Sequence, residues 1–140
     1  MKGKAYIFRI GFQDTDATGR VYFPNYVKWF DMAFIEFLRE RGLVFDKAGR
    51  LIVDGETCNQ TFVIGEFGCR IEKPSGYDDS VTVVIDVAEV GNKTVKTNFS
   101  LLNERGETLA RGYITYVLIG LDNEKAVEIP KRIREIFDNF

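Results

Sequence analysis

No histidine occurs in the 140 residues of this chain. That absence excludes Ser-His-Asp and Cys-His machinery, haem ligation by histidine and hydrolysis at a histidine-held metal. Acid–base chemistry has to use carboxylates, Lys, Tyr, Cys or the backbone. Cysteine is scarce as well. Cys58 and Cys69 lie outside any CxxC spacing, so neither a disulfide framework nor a zinc site is expected and both read as structural. No metal and no cofactor is expected. Neither sign of charge dominates, with 19 basic and 21 acidic residues interspersed and a net charge of −2. Without a basic arm or stripe, a nucleic-acid partner is not expected. No apolar run approaches the ~20 residues of a membrane span. The first residues enter a strand pattern without the apolar stretch of a signal peptide. No membrane association and a cytoplasmic location are therefore expected.

What is present is an ordinary globular composition, 45% hydrophobic and 29% charged. The length suits one domain over residues 1–140, with a core that needs no staples. Residues 5–13 alternate, with Tyr6, Phe8, Ile10 and Phe12 on one face, which predicts a half-buried strand. A polar, turn-prone stretch follows over 14–19. Pro24 then suits the first turn of a helix and Gly42 its stop. Between them Tyr26, Val27, Phe30, Ala33, Phe34, Phe37 and Leu38 recur at helical spacing, widened by Trp29 and Ile35. A helix this apolar should be wrapped by a sheet. Residues 61–73, 81–87, 95–101 and 109–119 read as four strands in meander order, separated by Pro74-Ser75-Gly76, Gly91-Asn92 and a hairpin loop at Asn103–Gly106. Residues 43–60 read as a short helix or a loop. After Pro130 a short helix is expected with Ile133, Ile136 and Phe137 inside. One dominant helix with segregated strands argues α+β with an antiparallel sheet.

Asp14 and Asp16 sit in the loop that leads into the buried helix. A helix start offers free N–H groups and partial positive charge, so an oxyanion formed there meets donors already in place. A nearby carboxylate can attack a carbonyl or activate water. Local pattern alone also allows both to be cap or turn residues. Asp14 is the more structural of the two.

The run Asp14-Thr15-Asp16-x-x-Gly19-x-Val21-Tyr22-Phe23-x-x-Tyr26 resembles the signature of the 4-hydroxybenzoyl-CoA thioesterase family of hotdog proteins. Pro24-Asn25-Tyr26-x-x-Trp29-x-Asp31 is similar to the 4-hydroxybenzoyl-CoA branch, and Tyr77–Val83 to a second block of the family. The resemblance implies a five-stranded antiparallel sheet wrapped around a long central helix. It also implies edge-to-edge subunit pairing, as a homodimer or homotetramer, and acyl-CoA as substrate. Asp16 falls on the catalytic carboxylate, Phe23 on the N–H that polarises the thioester carbonyl, and Asp31 on the contact to a ring hydroxyl. Three departures stand out. A histidine of the wider bacterial branch is missing near Tyr22-Phe23. Phe23 replaces a tyrosine. Gly91-Asn92-Lys93 keeps one cation of a phosphate-binding cluster, leaving Lys93, Lys73, Lys96 and Arg20 as candidates for the CoA phosphates. The crowd of Tyr22, Phe23, Tyr26, Trp29 and Phe30 suits an aromatic or medium-length acyl group, or a plain core. Carrier-bound acyl groups and non-catalytic acyl-CoA binding remain the rival readings.

Overall fold

The computed structural model describes residues 3–138. β1 (Lys4–Arg9) turns Tyr6 and Phe8 toward the core, and Ile10 just beyond it is buried. The strand is shorter than the alternation suggests. Asp14 ties the chain into a 3-10 turn over Phe12–Asp14: its N–H donates to Gly11 O (3.0 Å) and its Oδ2 accepts from Gly11 N–H (2.9 Å). Phe12 consequently leaves the expected core face and stands exposed.

α1 (Pro24–Glu40) starts at the proline and stops before Gly42, whose φ of +85° is the left-handed geometry that glycine adopts at little cost. Tyr26, Trp29, Phe30, Ala33, Phe34, Phe37 and Leu38 are its buried face. They recur three and four residues apart, so a single broad stripe meets the sheet.

Residues 43–60 form neither a helix nor a plain loop. They fold into a small antiparallel sheet of β2 (Leu43–Phe45), β3 (Leu51–Val53) and β4 (Glu56–Cys58). Gly49 and Gly55 supply positive φ at its two turns, +85° and +84°. Asp46 Oδ1 accepts from the N–H groups of Ala48 and Arg50 inside the first turn. Turn chemistry of this kind permits strands too short to show a period of their own.

The main sheet contains β5 (Gln60–Ile71), β6 (Ser80–Val90), β7 (Thr94–Leu102) and β8 (Thr108–Gly120), in the order β1-β6-β7-β8-β5, antiparallel throughout. Only β6, β7 and β8 form a meander. β5 pairs with β8 and occupies the far edge, so the expected four-strand meander is corrected to three strands and a crossover. The link over residues 72–79 is too long for a hairpin and crosses the end of the sheet. There Ser75 O accepts from Val21 N–H (2.9 Å) and Gly76 bridges Arg20. α2 (Lys131–Asp138) follows Pro130 and buries Ile133, Ile136 and Phe137, as its pattern predicts.

α1 meets the sheet through rings. Phe34 stacks on Tyr116 at 3.7 Å and Phe30 on Phe99 at 4.9 Å. The contact is close enough to require a missing side chain on β8: a Cβ at Gly112 would come within 2.7 Å of Phe30 Cε2 and 2.6 Å of Gly68 O. Among the described residues no helix is long and apolar enough to cross a membrane. Gly112→Ala is expected to force α1 off the sheet and to cost about 1–3 kcal/mol. A lowered urea midpoint with an unchanged m-value is the expected reading. An unchanged midpoint would show that the helix shifts freely at this point.

Candidate active site

The loop before α1 is a miniature hairpin. Thr15 bridges Val21, Tyr22 N–H donates to Asp14 O (2.8 Å) and Asp16 N–H to Arg20 O (2.8 Å). Gly19, at φ +79°, closes the tip by donating to Asp16 O (3.0 Å). Asp14 O also accepts from Asn25 Nδ2 (2.9 Å), which fastens the hairpin to the first turn of α1. With its carboxylate turned back to Gly11, Asp14 is occupied by structure. Asp16 stands free at the surface. Its Oδ1 accepts from the Thr18 hydroxyl (2.5 Å) and the Thr18 N–H (2.8 Å). Those donors, the hydroxyl first, hold its pKa below the ordinary carboxylate value, and Arg20 acts in the same direction. Asp16 is thus an anion throughout the neutral range.

The ladder places Asp16 two residues beyond the level of Tyr22, or roughly 7 Å along the strand direction. After Tyr22 the chain turns into the helix. Pro24 has no N–H, and Asn25 N–H donates to Tyr22 O (2.9 Å). The N–H of Phe23 finds no acceptor among the described residues, while its φ of −55° and ψ of −35° already follow the helix. It is a helix-start donor left open to an incoming group.

Phe23 opens onto a cavity of about 530 Å³. Pro24, Val27, Lys28 and Asp31 of α1 form one wall; Ile64, Phe67, Cys69 and Ile71 of β5 form the other. A bulge between Ile64 and Glu66 makes the second wall possible. Before it Phe62 and Ile64 face the helix; after it Phe67, Cys69 and Ile71 do, because one extra residue reverses the alternation. Asp31 sits at the inner end. Its Oδ1 accepts from the Tyr116 hydroxyl (2.9 Å), and burial pushes its pKa up against that bond. Past Asp31 and Ile64 lies a second space of about 290 Å³, bounded by Phe34, Ile35, Phe45, Phe62 and Tyr116.

The structure therefore brings Phe23 and Asp31 onto one cavity and sets the Asp16 hairpin against the same helix start. Tyr22 is half exposed, edge-on to Phe23 at 5.3 Å. Tyr26 is only 2% exposed and belongs to the core. Trp29 is buried against Phe8 (4.9 Å) and Tyr26 (5.9 Å), and borders a separate cleft of about 420 Å³ between β1 and α1. Lys73 follows β5 at the end nearest Phe23 and is ion-paired with Glu107. Lys93 lies at the opposite end of the sheet, its carbonyl bonded to Leu118 N–H. Lys96 lies over the ring of Tyr113 at 5.0 Å, and Arg20 is exposed beside Asp16. No group of three metal-ligating side chains occurs among the described residues. Of the cavity's lining, Val27 and Cys69 read in the sequence only as helix core and a structural cysteine, and Ile64, Phe67, Ile71 and Tyr116 carried no site assignment. For β5 part of the signal was available: Phe67, Cys69 and Ile71 alternate on odd positions, out of phase with Phe62 and Ile64, although Val63 between those two blurs the switch.

Residues 10–137 match the Thioesterase-like superfamily. The chain is 27% identical to the acyl-CoA thioesterase YbgC of Haemophilus influenzae, covering 96% of this chain and 94% of that one. It is 26% identical to a 1,4-dihydroxy-2-naphthoyl-CoA hydrolase of Thermosynechococcus vestitus, covering 86% and 79%. A solved gentisyl-coenzyme A thioesterase superposes with a TM-score of 0.79 at 30% identity, over 96% of this chain and 99% of that one.

The Asp16 environment is open to a direct check. Titrating its carboxyl carbon by NMR is expected to give a midpoint below the ordinary carboxylate value, moving up toward it in Thr18→Ala. A carboxylate depressed in the folded state adds stability above its unfolded pKa and loses it as pH falls through the folded one. Thr18→Ala should therefore narrow the acid window in which this contribution survives. An identical midpoint in both proteins would remove the Thr18 hydroxyl as the cause.

Proposed function

The chain belongs to the Thioesterase-like superfamily, and we propose that it hydrolyses an aromatic or medium-chain acyl-CoA to the free acid and CoA, with Asp16 as nucleophile or general base. One observation carries this reading: the unpaired N–H of Phe23 stands at the mouth of an apolar cavity, beside a loop that holds an ionised carboxylate. With the acyl group in the cavity, the thioester carbonyl reaches the Phe23 N–H and CoA extends outward. Asp16 then attacks the carbonyl carbon, the C–S bond breaks with release of CoA thiolate, and water cleaves the mixed anhydride to restore the carboxylate. Alternatively Asp16 takes a proton from water as that water attacks the same carbon. Both routes develop an oxyanion at Phe23, where loss of one donor typically costs on the order of 10²–10³ in rate. Asp31 supplies the acyl cavity with one polar contact, suited to a ring hydroxyl.

The site is open to solvent in a single chain, and the long apolar edge of β5 borders it. Val63, Ile64, Phe67 and Ile71 are exposed there, and such edges are normally paired or covered. We assign the cover to a second copy, as a homodimer or a dimer of dimers. If two β5 strands pair antiparallel about a two-fold axis, the Gln60 end of one chain meets the Ile71 end of the other. The partner's Lys93 then approaches the end that carries Phe23, where it can meet CoA phosphates. The ion pair of Lys73 with Glu107 favours a second reading, an acyl group on a carrier protein, whose phosphopantetheine arm lacks the nucleotide phosphates.

Turnover of an acyl-CoA panel against the same acyl groups on a carrier protein separates these readings, and no turnover of either would leave acyl-CoA binding alone. Asp16→Asn is expected to slow the chemical step in single turnover by at least ~10³, with little change in substrate affinity. Asp14→Ala should instead lower stability by about 0.5–1.5 kcal/mol through the lost bond to Gly11. Near-normal hydrolysis by folded Asp16→Asn would overturn the mechanism. Light scattering at micromolar concentration should give a dimer or tetramer; a monomer would refute the shared site.

A further inference from the structure

We infer that Tyr116 is a positioning residue for acyl-group specificity: its hydroxyl fixes one oxygen of Asp31 so that the other faces the cavity as an acceptor for a hydroxyl on the acyl group. The inference rests on reading that cavity as the acyl site. Tyr116 comes from β8 and Asp31 from α1, so the 2.9 Å bond spans the gap between helix and sheet. The tyrosine ring has little freedom, being stacked on Phe34 at 3.7 Å and met edge-on by Phe62 at 6.5 Å. Its hydroxyl is held protonated by burial and by the Asp31 charge, so it is always the donor in this pair. Asp31 Oδ1 is thereby committed. Oδ2 has no partner among the described residues and is not among the sealed polar atoms that lack one. Asp31 borders both spaces, so a group in either is next to this residue.

A carboxylate held this way discriminates in two directions. It gains a hydrogen bond to a hydroxylated ring, and it repels an acyl group that carries its own negative charge. The other titratable groups around it are Lys28 on the same helix and Cys69 on β5, both bordering the outer space. β2 and the turn after it present Phe45 and Gly49. Burial raises the Asp31 pKa and the Tyr116 bond lowers it. Without the Tyr116 hydroxyl, Asp31 should protonate at higher pH and lose its preference there.

The test is calorimetric binding of two non-hydrolysable thioethers, 4-hydroxyphenacyl-CoA and phenacyl-CoA, to the wild-type protein, Tyr116→Phe and Asp31→Ala across pH. The wild type should prefer the hydroxylated probe. Tyr116→Phe should cut that preference by ~10-fold, leave phenacyl-CoA affinity within about twofold, and move the loss of preference to higher pH. Asp31→Ala should abolish the preference. Wild-type preference and pH midpoint in Tyr116→Phe would overturn the inference while leaving the role of Asp31 intact. Equal weakening of both probes at an unchanged midpoint would assign Tyr116 a merely structural role and overturn it too. No preference in the wild type, or full preference in Asp31→Ala, would remove Asp31 and Tyr116 together while the cavity stands. No binding of either probe by the wild type would remove the acyl cavity itself and this inference with it.

Discussion

The close approach of α1 to the sheet is the constraint from which the other features follow. Gly112 leaves the space that Phe30 fills, and the Phe34 ring lies flat on Tyr116. A sheet with side chains at every inward position would hold the helix farther away, and the gap to β5 would widen into open solvent. At the observed depth the gap is a cavity of defined width. Its mouth is fixed by Asp14, whose backbone oxygen binds both Tyr22 N–H and Asn25 Nδ2. Packing at the centre of the molecule thus sets the distance across which Asp31 and Tyr116 meet, while Pro24 and the Asp14 contacts set where the helix begins.

The two carboxylates at this helix live in opposite surroundings. Asp16 is exposed and held below the usual carboxylate range by the Thr18 donors; Asp31 is half-buried and pushed above it. Neighbouring carboxyl groups whose environments pull their pKa values apart are suited to different tasks. An exposed, solvated anion suits attack on carbon, whereas a recessed one with a single fixed donor suits recognition. The contrast in surroundings arises without histidine, with a hydroxyl donor in each case, from Thr18 and from Tyr116.

Legibility in the sequence followed the range of the interactions. Pro24 and Gly42 bound α1, and Pro130 announces α2, because caps and breakers act within a turn or two. The alternation of β6, β7 and β8 shows in their residues for the same reason. The place of β5 does not, since nothing in residues 60–71 says whether β6 or β8 will be the neighbour. Within the candidate site, Asp16 lies in a loop that the residues mark before a helix start, and Phe23 is picked out by the family resemblance of the same run. Tyr116 is marked by neither, because a tyrosine in an apolar strand reads as core and its hydroxyl partner is 85 residues away. Tyr26 and Trp29 show the converse: their spacing resembles a binding motif, yet packing takes Tyr26 into the core and Trp29 to the cleft beside β1. Lys73 and Lys93 share a residue type and little else, since the sheet puts them at its two ends.

The crossover that sends β5 to the far edge also has a consequence in time. Its first neighbour within the chain, β8, ends at Gly120, 49 residues after Ile71. At synthesis rates of about 5–20 residues per second, a ribosome needs roughly 2–10 s to deliver that neighbour. Throughout that interval the nascent chain carries a long strand bearing Phe62, Ile64, Phe67 and Ile71 with neither edge satisfied. β6 and β7 can join β1 and α1 meanwhile, so the incomplete molecule is a growing sheet beside a detached sticky ribbon. The same surface suited to meeting another finished copy is thus the one most in need of protection on the ribosome, and the order of translation leaves it uncovered until β8 is made.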